Sequence, residues 1–148
     1  MKGRALVIVA LVGLGLFAAA LWYFQTYAYY RDLEAEPMIL GQYPVEEWRG
    51  IDASSSPLKK RVCLTVSGTS AAQITQSEPA ISGVEPLVAP GWFDCFDAKN
   101  LSRDLAEGRA TAHLVEREVF DGIHEYLAVY PDGRAYIWRQ LDPRYDTQ

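Results

Sequence analysis

Histidine and cysteine are scarce in this chain, with two of each among 148 residues. No histidine or third cysteine lies at a ligand spacing from Cys63 or Cys95, so a zinc cluster is not expected. A basic excess is missing as well. The net charge is -5 and the pI near 5.0, which excludes the usual electrostatic footprint of a nucleic-acid binder. The chain has no phosphate-cradling G-x-x-x-x-G-K-[ST] loop, no G-x-S-x-G elbow and no H-E-x-x-H pair. Its length leaves no room for a multidomain catalytic architecture. Wholesale disorder is excluded by an apolar content of 49%.

One run has no charge at all. Residues 5–24 read ALVIVALVGLGLFAAALWYF. Twenty residues of helix span about 30 Å, the thickness of a bilayer core. Apolar side chains surround the whole helix, so no single face is set aside for a soluble core. Trp22, Tyr23, Tyr27, Tyr29 and Tyr30 crowd one end, as in an interfacial aromatic belt. A cleaved signal peptide is the competing reading, since Lys2 and Arg4 form a basic start and Ala18-Ala19-Ala20 offers small residues to a peptidase. The stretch exceeds the usual apolar core of a signal and bulky aromatics follow the cut, so an uncleaved anchor is expected, with the lipid bilayer as its partner. Lys2 and Arg4 precede the span and only Arg31 follows closely. This places the N-terminus in the cytoplasm and the rest in the periplasm, a single-pass protein of the cytoplasmic membrane.

The expected organisation is an anchor over 1–30, a connector over 31–57 and an exported domain over 58–148. Losing Lys2 and Arg4 takes the basic side chains from 14 to 12 against the same 19 acids, a net of -7 beyond the anchor. So acidic a domain is expected to be held off an anionic membrane surface.

Cys63 and Cys95 both fall on the outer side of the span, where two thiols ordinarily become one bridge. Closing that loop is worth roughly 3–4 kcal/mol on the chain-entropy model. A catalytic dithiol is usually C-x-x-C at a helix start, and this pair is far apart.

The remaining pattern is α+β. Val45, Trp48 and Ile51 are at helical spacing and predict a short turn of helix. Leu58, Val62, Leu64 and Val66 alternate and predict a strand with Cys63 on its opposite face. Residues 67–91, rich in Ser, Ala, Gly and Pro, read as a surface excursion with a brief helix at 71–76. Trp92-Phe93-Asp94-Cys95-Phe96 reads as core anchorage around the bridge. Asp94 and Asp97 flank Cys95, but a turn plus a helix cap accounts for them better than a site does. Asp97 caps a helix over 98–107 that ends at Gly108. Three strands of a meander follow, at 111–119, 123–130 and 134–141. Asp121-Gly122 closes the first hairpin, setting Glu118 opposite Glu125. In the second, Gly133 serves as the bulge residue, so Tyr130 pairs with Arg134. It follows that Leu127 faces Ile137, Val129 faces Ala135, Glu125 faces Arg139 and Tyr126 faces Trp138.

Three segments carry a resemblance. Ile-Asp-Ala-Ser-Ser-Ser-Pro at 51–57, Ala-Pro-Gly-Trp-Phe-Asp-Cys-Phe-Asp at 89–97 and Tyr-Pro-Asp-Gly-Arg-Ala-Tyr-Ile-Trp at 130–138, behind one N-terminal span, resemble an uncharacterised family of small bacterial membrane-anchored proteins. The resemblance implies no activity. Some members bear the label histidine kinase, which these residues do not support, because the 118 residues beyond the anchor leave no space for an ATP-binding domain.

No catalytic residue, cofactor or metal emerges. His113 and His124 lie in expected strands and read as structural, and Ser54-Ser55-Ser56 has no base near it in sequence. The register gives one apolar sheet face, with Ile123, Leu127, Val129, Ile137 and Leu141, for which helix 98–107 is the expected cover. The other face carries His124, Tyr126, Tyr130, Arg134, Tyr136, Trp138 and Gln140. Such a mixture of aromatics with Arg, His and Gln suits a protein-binding surface. It also allows segment 67–96 to fold over it. Two functions therefore stand: an extracytoplasmic accessory or interaction module that meets another membrane protein, and a ligand-sensing or small-molecule-binding domain. An enzyme is the less expected third.

Overall fold

A computed structural model of the chain describes residues 2–37, 39–40 and 43–145. It divides into two compact units, residues 1–30 and 31–148. The first is a single apolar helix, α1 (Lys2–Thr26), of 25 residues with no buried residue. It is long and apolar enough to cross a membrane.

The second unit is built on an antiparallel sheet of order β1-β2-β3-β6-β5-β4. Its strands are β1 (Tyr30–Asp32), β2 (Glu47–Ala53), β3 (Arg61–Thr65), β4 (Thr111–Phe120), β5 (Ile123–Val129) and β6 (Arg134–Leu141), with helices α2 (Gly68–Ser77) and α3 (Ala98–Ala106). The α+β class, the meander and the Cys63–Cys95 bridge are as the sequence predicts. The bridged Cα atoms lie 6.3 Å apart. The β5–β6 register matches the expected pairs one for one. Tyr130 donates its N–H to Arg134 and accepts one from Gly133, whose φ is +94°. Asp97 accepts from the N–H of Asn100 at the start of α3, and Gly108 ends that helix at φ +74°.

Four expectations give way. Residues 45–51 are not helical, because β2 occupies Glu47–Ala53 inside the stretch read as a connector. Trp48 lies opposite Leu64 on one face of the sheet and Ile51 opposite Arg61 on the other. Gly50 on one face and Ile51 and Ala53 on the other are buried, so that half of the strand lacks the one-sided alternation that announces strands. The cover of the Leu127–Ile137 face is the second correction. α2 supplies it, with Ala71 and Ile74 in one core with Val62, Leu64, Val66, Leu127, Val129, Ala135 and Ile137. Third, Leu141 at the end of that face is about half exposed rather than covered. Fourth, Glu116 rather than Glu118 faces Glu125. A bulge between Glu116 and Phe120 puts Glu118 in the left-handed region at φ +48°. Glu125 escapes a like-charge clash by ion pairs to Lys60 at 2.9 Å and to Arg139 at 3.0 Å.

Candidate functional site

The seven side chains from His124 to Gln140 expected on the second face do share one face of the sheet. The structure closes most of it. Residues 78–97 and α3 fold across, and Trp138, Tyr126, Tyr130 and His124 are buried. The cover is fastened by polar latches as well as by Phe93 and Phe96. The Gln140 side-chain oxygen accepts from the Glu85 N–H at 2.8 Å and from the Trp138 indole at 3.0 Å. Arg61 donates to the carbonyls of Leu87 and Val88. Tyr130 donates to Asp104 at 2.5 Å. That bond, reinforced by Arg109, holds the Asp104 carboxyl below the usual carboxylate range, while burial and Asp104 push the Tyr130 phenol up. An open aromatic docking face is therefore withdrawn for these four residues: they form a second core.

The buried histidines have structural partners. His124 accepts the Glu118 N–H at Nδ1 and pairs through Nε2 with Asp142, each at 2.9 Å, so both ring nitrogens are engaged. Asp142 also receives Arg144, first among the causes that hold its carboxyl far below the ordinary value. His113 donates from Nδ1 to the Pro79 carbonyl at 3.1 Å, and its Nε2 accepts from the Thr111 hydroxyl at 3.0 Å. Burial pushes the His113 imidazole below its ordinary value near 6.5. The folded protein therefore resists a proton that the unfolded chain accepts. This contribution to stability is complete above about pH 6.5 and is lost as the pH falls below it. Urea midpoints at pH 7.5 and 5.5 are expected to fall for the native chain, and to fall less for a His113→Asn variant that keeps the donor to Pro79. Equal slopes would contradict this role.

Two of the seven residues stay accessible, Arg134 and Tyr136, and they border an open concavity of the domain. Two cross-strand rows build it. Arg49, Cys63 and Tyr136 lie side by side on β2, β3 and β6, and Glu47, Thr65 and Arg134 form the next row. The Cys63–Cys95 bridge rises between them. The result is an open groove of about 330 Å³ lined by Glu47, Trp48, Arg49, Cys95, Arg134 and Tyr136, among others. Arg49 lies 5.0 Å from the Phe93 ring centre and pairs with Asp94 at 3.1 Å. Arg134 lies 4.3 Å from the Tyr130 ring centre and pairs with Asp132 at 2.8 Å. Both guanidiniums are half exposed. Surface pairs of this kind are worth little and are readily exchanged. The groove offers two oriented cations on aromatic backing beside the Glu47 carboxylate, with no histidine or free thiol among the described residues that line it. In the sequence Trp48 reads as part of a turn of helix, and Glu47 and Arg49 carry no role; the alternation of charge and ring at Glu47-Trp48-Arg49 is the signal of the strand.

A second cleft, of about 490 Å³, lies between α3 and residues 80–84. Small and apolar residues such as Ala80, Gly83, Leu105 and Ala106 line it. Among the described residues, no group of three His, Cys, Asp or Glu is placed to hold a metal ion.

The geometry defines a class: a small disulfide-pinned α+β domain, six strands wide, with most of both sheet faces covered and an open groove over the bridge that carries Arg49, Arg134 and Glu47. The chain belongs to a family of unknown function, DUF6446, whose model matches residues 34–147. No curated protein and no solved structure matches it.

Proposed function

We propose that this protein is a membrane-tethered extracytoplasmic interaction module, whose groove over the Cys63–Cys95 bridge receives carboxylate side chains of another membrane protein. The observation that carries the reading is the pair Arg49 and Arg134, held on aromatic rings at opposite sides of one open groove. Guanidiniums fixed in this way lose little freedom on meeting carboxylates, and arginines on aromatic backing are frequent hot spots. The helix over residues 2–26 supports the tether, and the bridge supports an oxidising compartment, the periplasm. A partner in the same membrane gains effective concentration, so a groove this small suffices. The buried histidines and Glu125 are spent on structural partners, which favours recognition over chemistry. The second cleft favours the alternative, a ligand-sensing domain for a small apolar molecule.

The test is a photo-crosslinking amino acid at position 136 in the full chain, in intact cells. The expected result is a discrete adduct with one membrane protein that an Arg49→Glu, Arg134→Glu variant loses while keeping its native disulfide. An adduct unchanged by the charge reversal, or none at all, contradicts the proposal.

A further inference from the structure

The domain exposes few large apolar side chains, and three of them gather at one end of the sheet. Phe120 pairs with Ile123, and Ile123 with Leu141, so these three form one row across β4, β5 and β6. Phe120 is 49% and Leu141 47% exposed. Tyr145, 56% exposed, packs its ring over Gly122 in the turn beside them. Ile123 between them is buried, so Phe120 and Leu141 flank it as two half-open apolar side chains, with the Arg139 guanidinium 5.3 Å from the Phe120 ring centre.

The topology shows which end of the sheet this is. β1 is the edge neighbour of β2, and Leu33 donates its N–H to the Gly50 carbonyl at 2.9 Å. In an antiparallel pair Arg31 then lies toward the Ala53 end of β2. From Ile51 the rows run through Arg61 and Trp138 to Tyr126. Leu141 lies three residues beyond Trp138 in that same direction. The chain thus enters the sheet at the end that bears Phe120, Leu141 and Tyr145. Only residues 27–29 separate α1 from β1.

We infer that this end is a lipid-contacting surface: Phe120, Leu141 and the Tyr145 ring enter the headgroup layer of the bilayer that holds residues 5–24. The inference rests on the anchor reading and goes beyond it. Exposed charges around the row are of both signs, Arg117 and Arg144 against Glu116, Glu118 and Asp121, so the contact depends on apolar and aromatic insertion rather than on anionic lipid. This is a local exception to the expectation that the acidic domain stands off the membrane. A patch too small to bind membranes from solution suffices when the tether supplies the concentration.

Nitroxide labels on the full chain test it. Among the described residues no cysteine is free, so single labels are introduced through Leu141→Cys, Tyr145→Cys, Leu14→Cys and Thr69→Cys. Thr69 is exposed near the start of α2, at the opposite end of the sheet. The chain is reconstituted in vesicles of phosphatidylcholine alone and of phosphatidylethanolamine with a minority of phosphatidylglycerol. Collision with oxygen, which partitions into lipid, is compared with collision with a water-soluble nickel chelate. The expected result is an oxygen-to-nickel ratio several-fold higher at 141 and 145 than at 69, the same in both lipids. Nickel-accessible labels at 141 and 145 with a lipid-buried label at 14 overturn the inference and leave the anchor standing. A nickel-accessible label at 14 overturns both. Labels at 141 and 145 shielded from both agents indicate a protein contact there and also overturn it.

Discussion

Replacing Trp138 by Ala is expected to bring the domain close to unfolding. The indole is fully buried, stacks on Tyr126 with ring centres 6.0 Å apart, and donates to Gln140. Large-to-small changes of this kind cost about 3–5 kcal/mol through lost transfer energy and the cavity left behind. Here a second loss follows, because Gln140 also holds the Glu85 N–H that fastens the covering segment. Against a total of about 5–15 kcal/mol for a domain, the melting temperature is expected to drop by on the order of 10–20 °C. Tyr136→Ala, at the rim of the groove, is expected to cost far less. Calorimetry of both variants checks the ranking. Equal, small shifts would mean that the aromatic face is not a core.

Gly133→Ala is the second large effect. Its φ of +94° belongs to the region that only glycine occupies without strain. A methyl group there would lie 2.2 Å from the carbonyl oxygen of Val66, a backbone atom that cannot rotate away. That carbonyl sits where β3 leaves the sheet, held by the Val66 N–H donated to the Gly133 carbonyl at 2.9 Å. Strain of roughly 1–2 kcal/mol and overpacking of roughly 1–3 kcal/mol act together, so a loss of about 3 kcal/mol is expected. Gly68, with open space around it at the start of α2, is the control. Gly68→Ala is expected to be neutral or slightly stabilising, since Ala is the better helix former. Denaturant midpoints of the two variants give the comparison, and similar midpoints would contradict it.

The β5–β6 hairpin was legible because its turn is short and chemically explicit. Pro131, Asp132 and Gly133 fix the loop, and one fixed pair propagates along both strands. The bridge was legible from cysteine count and position. Three things were not. β2 is buried on both faces over Gly50, Ile51 and Ala53, so its apolar residues carry no period of two. The choice of cover for each face depends on which way the chain leaves β3 and returns to β4. Sequence pattern marks α3, with its cap at Asp97 and its stop at Gly108, more clearly than α2, which supplies the cover. The bulge at Glu118 depends on His124, six residues away, accepting a backbone N–H in the interior. The aromatic face was read correctly as one face, and of its two readings, open or covered by segment 67–96, the covered one holds for all but Arg134 and Tyr136. Its polar members, His124, Tyr130 and Gln140, looked like surface chemistry and are instead latches inside a second core. What remains open of it, Arg134 and Tyr136, acquires meaning only beside Arg49, which the missed strand supplies.

The bridge, the tether and the shared-membrane partner all presuppose export, so the side of the membrane that the domain occupies decides among them. A Thr69→Cys variant of the full chain, treated with a membrane-impermeant maleimide in intact spheroplasts, reads this directly. The account predicts labelling before lysis, with the labelled chain remaining in the washed membrane fraction. Labelling only after lysis would place the domain in the cytoplasm and contradict it.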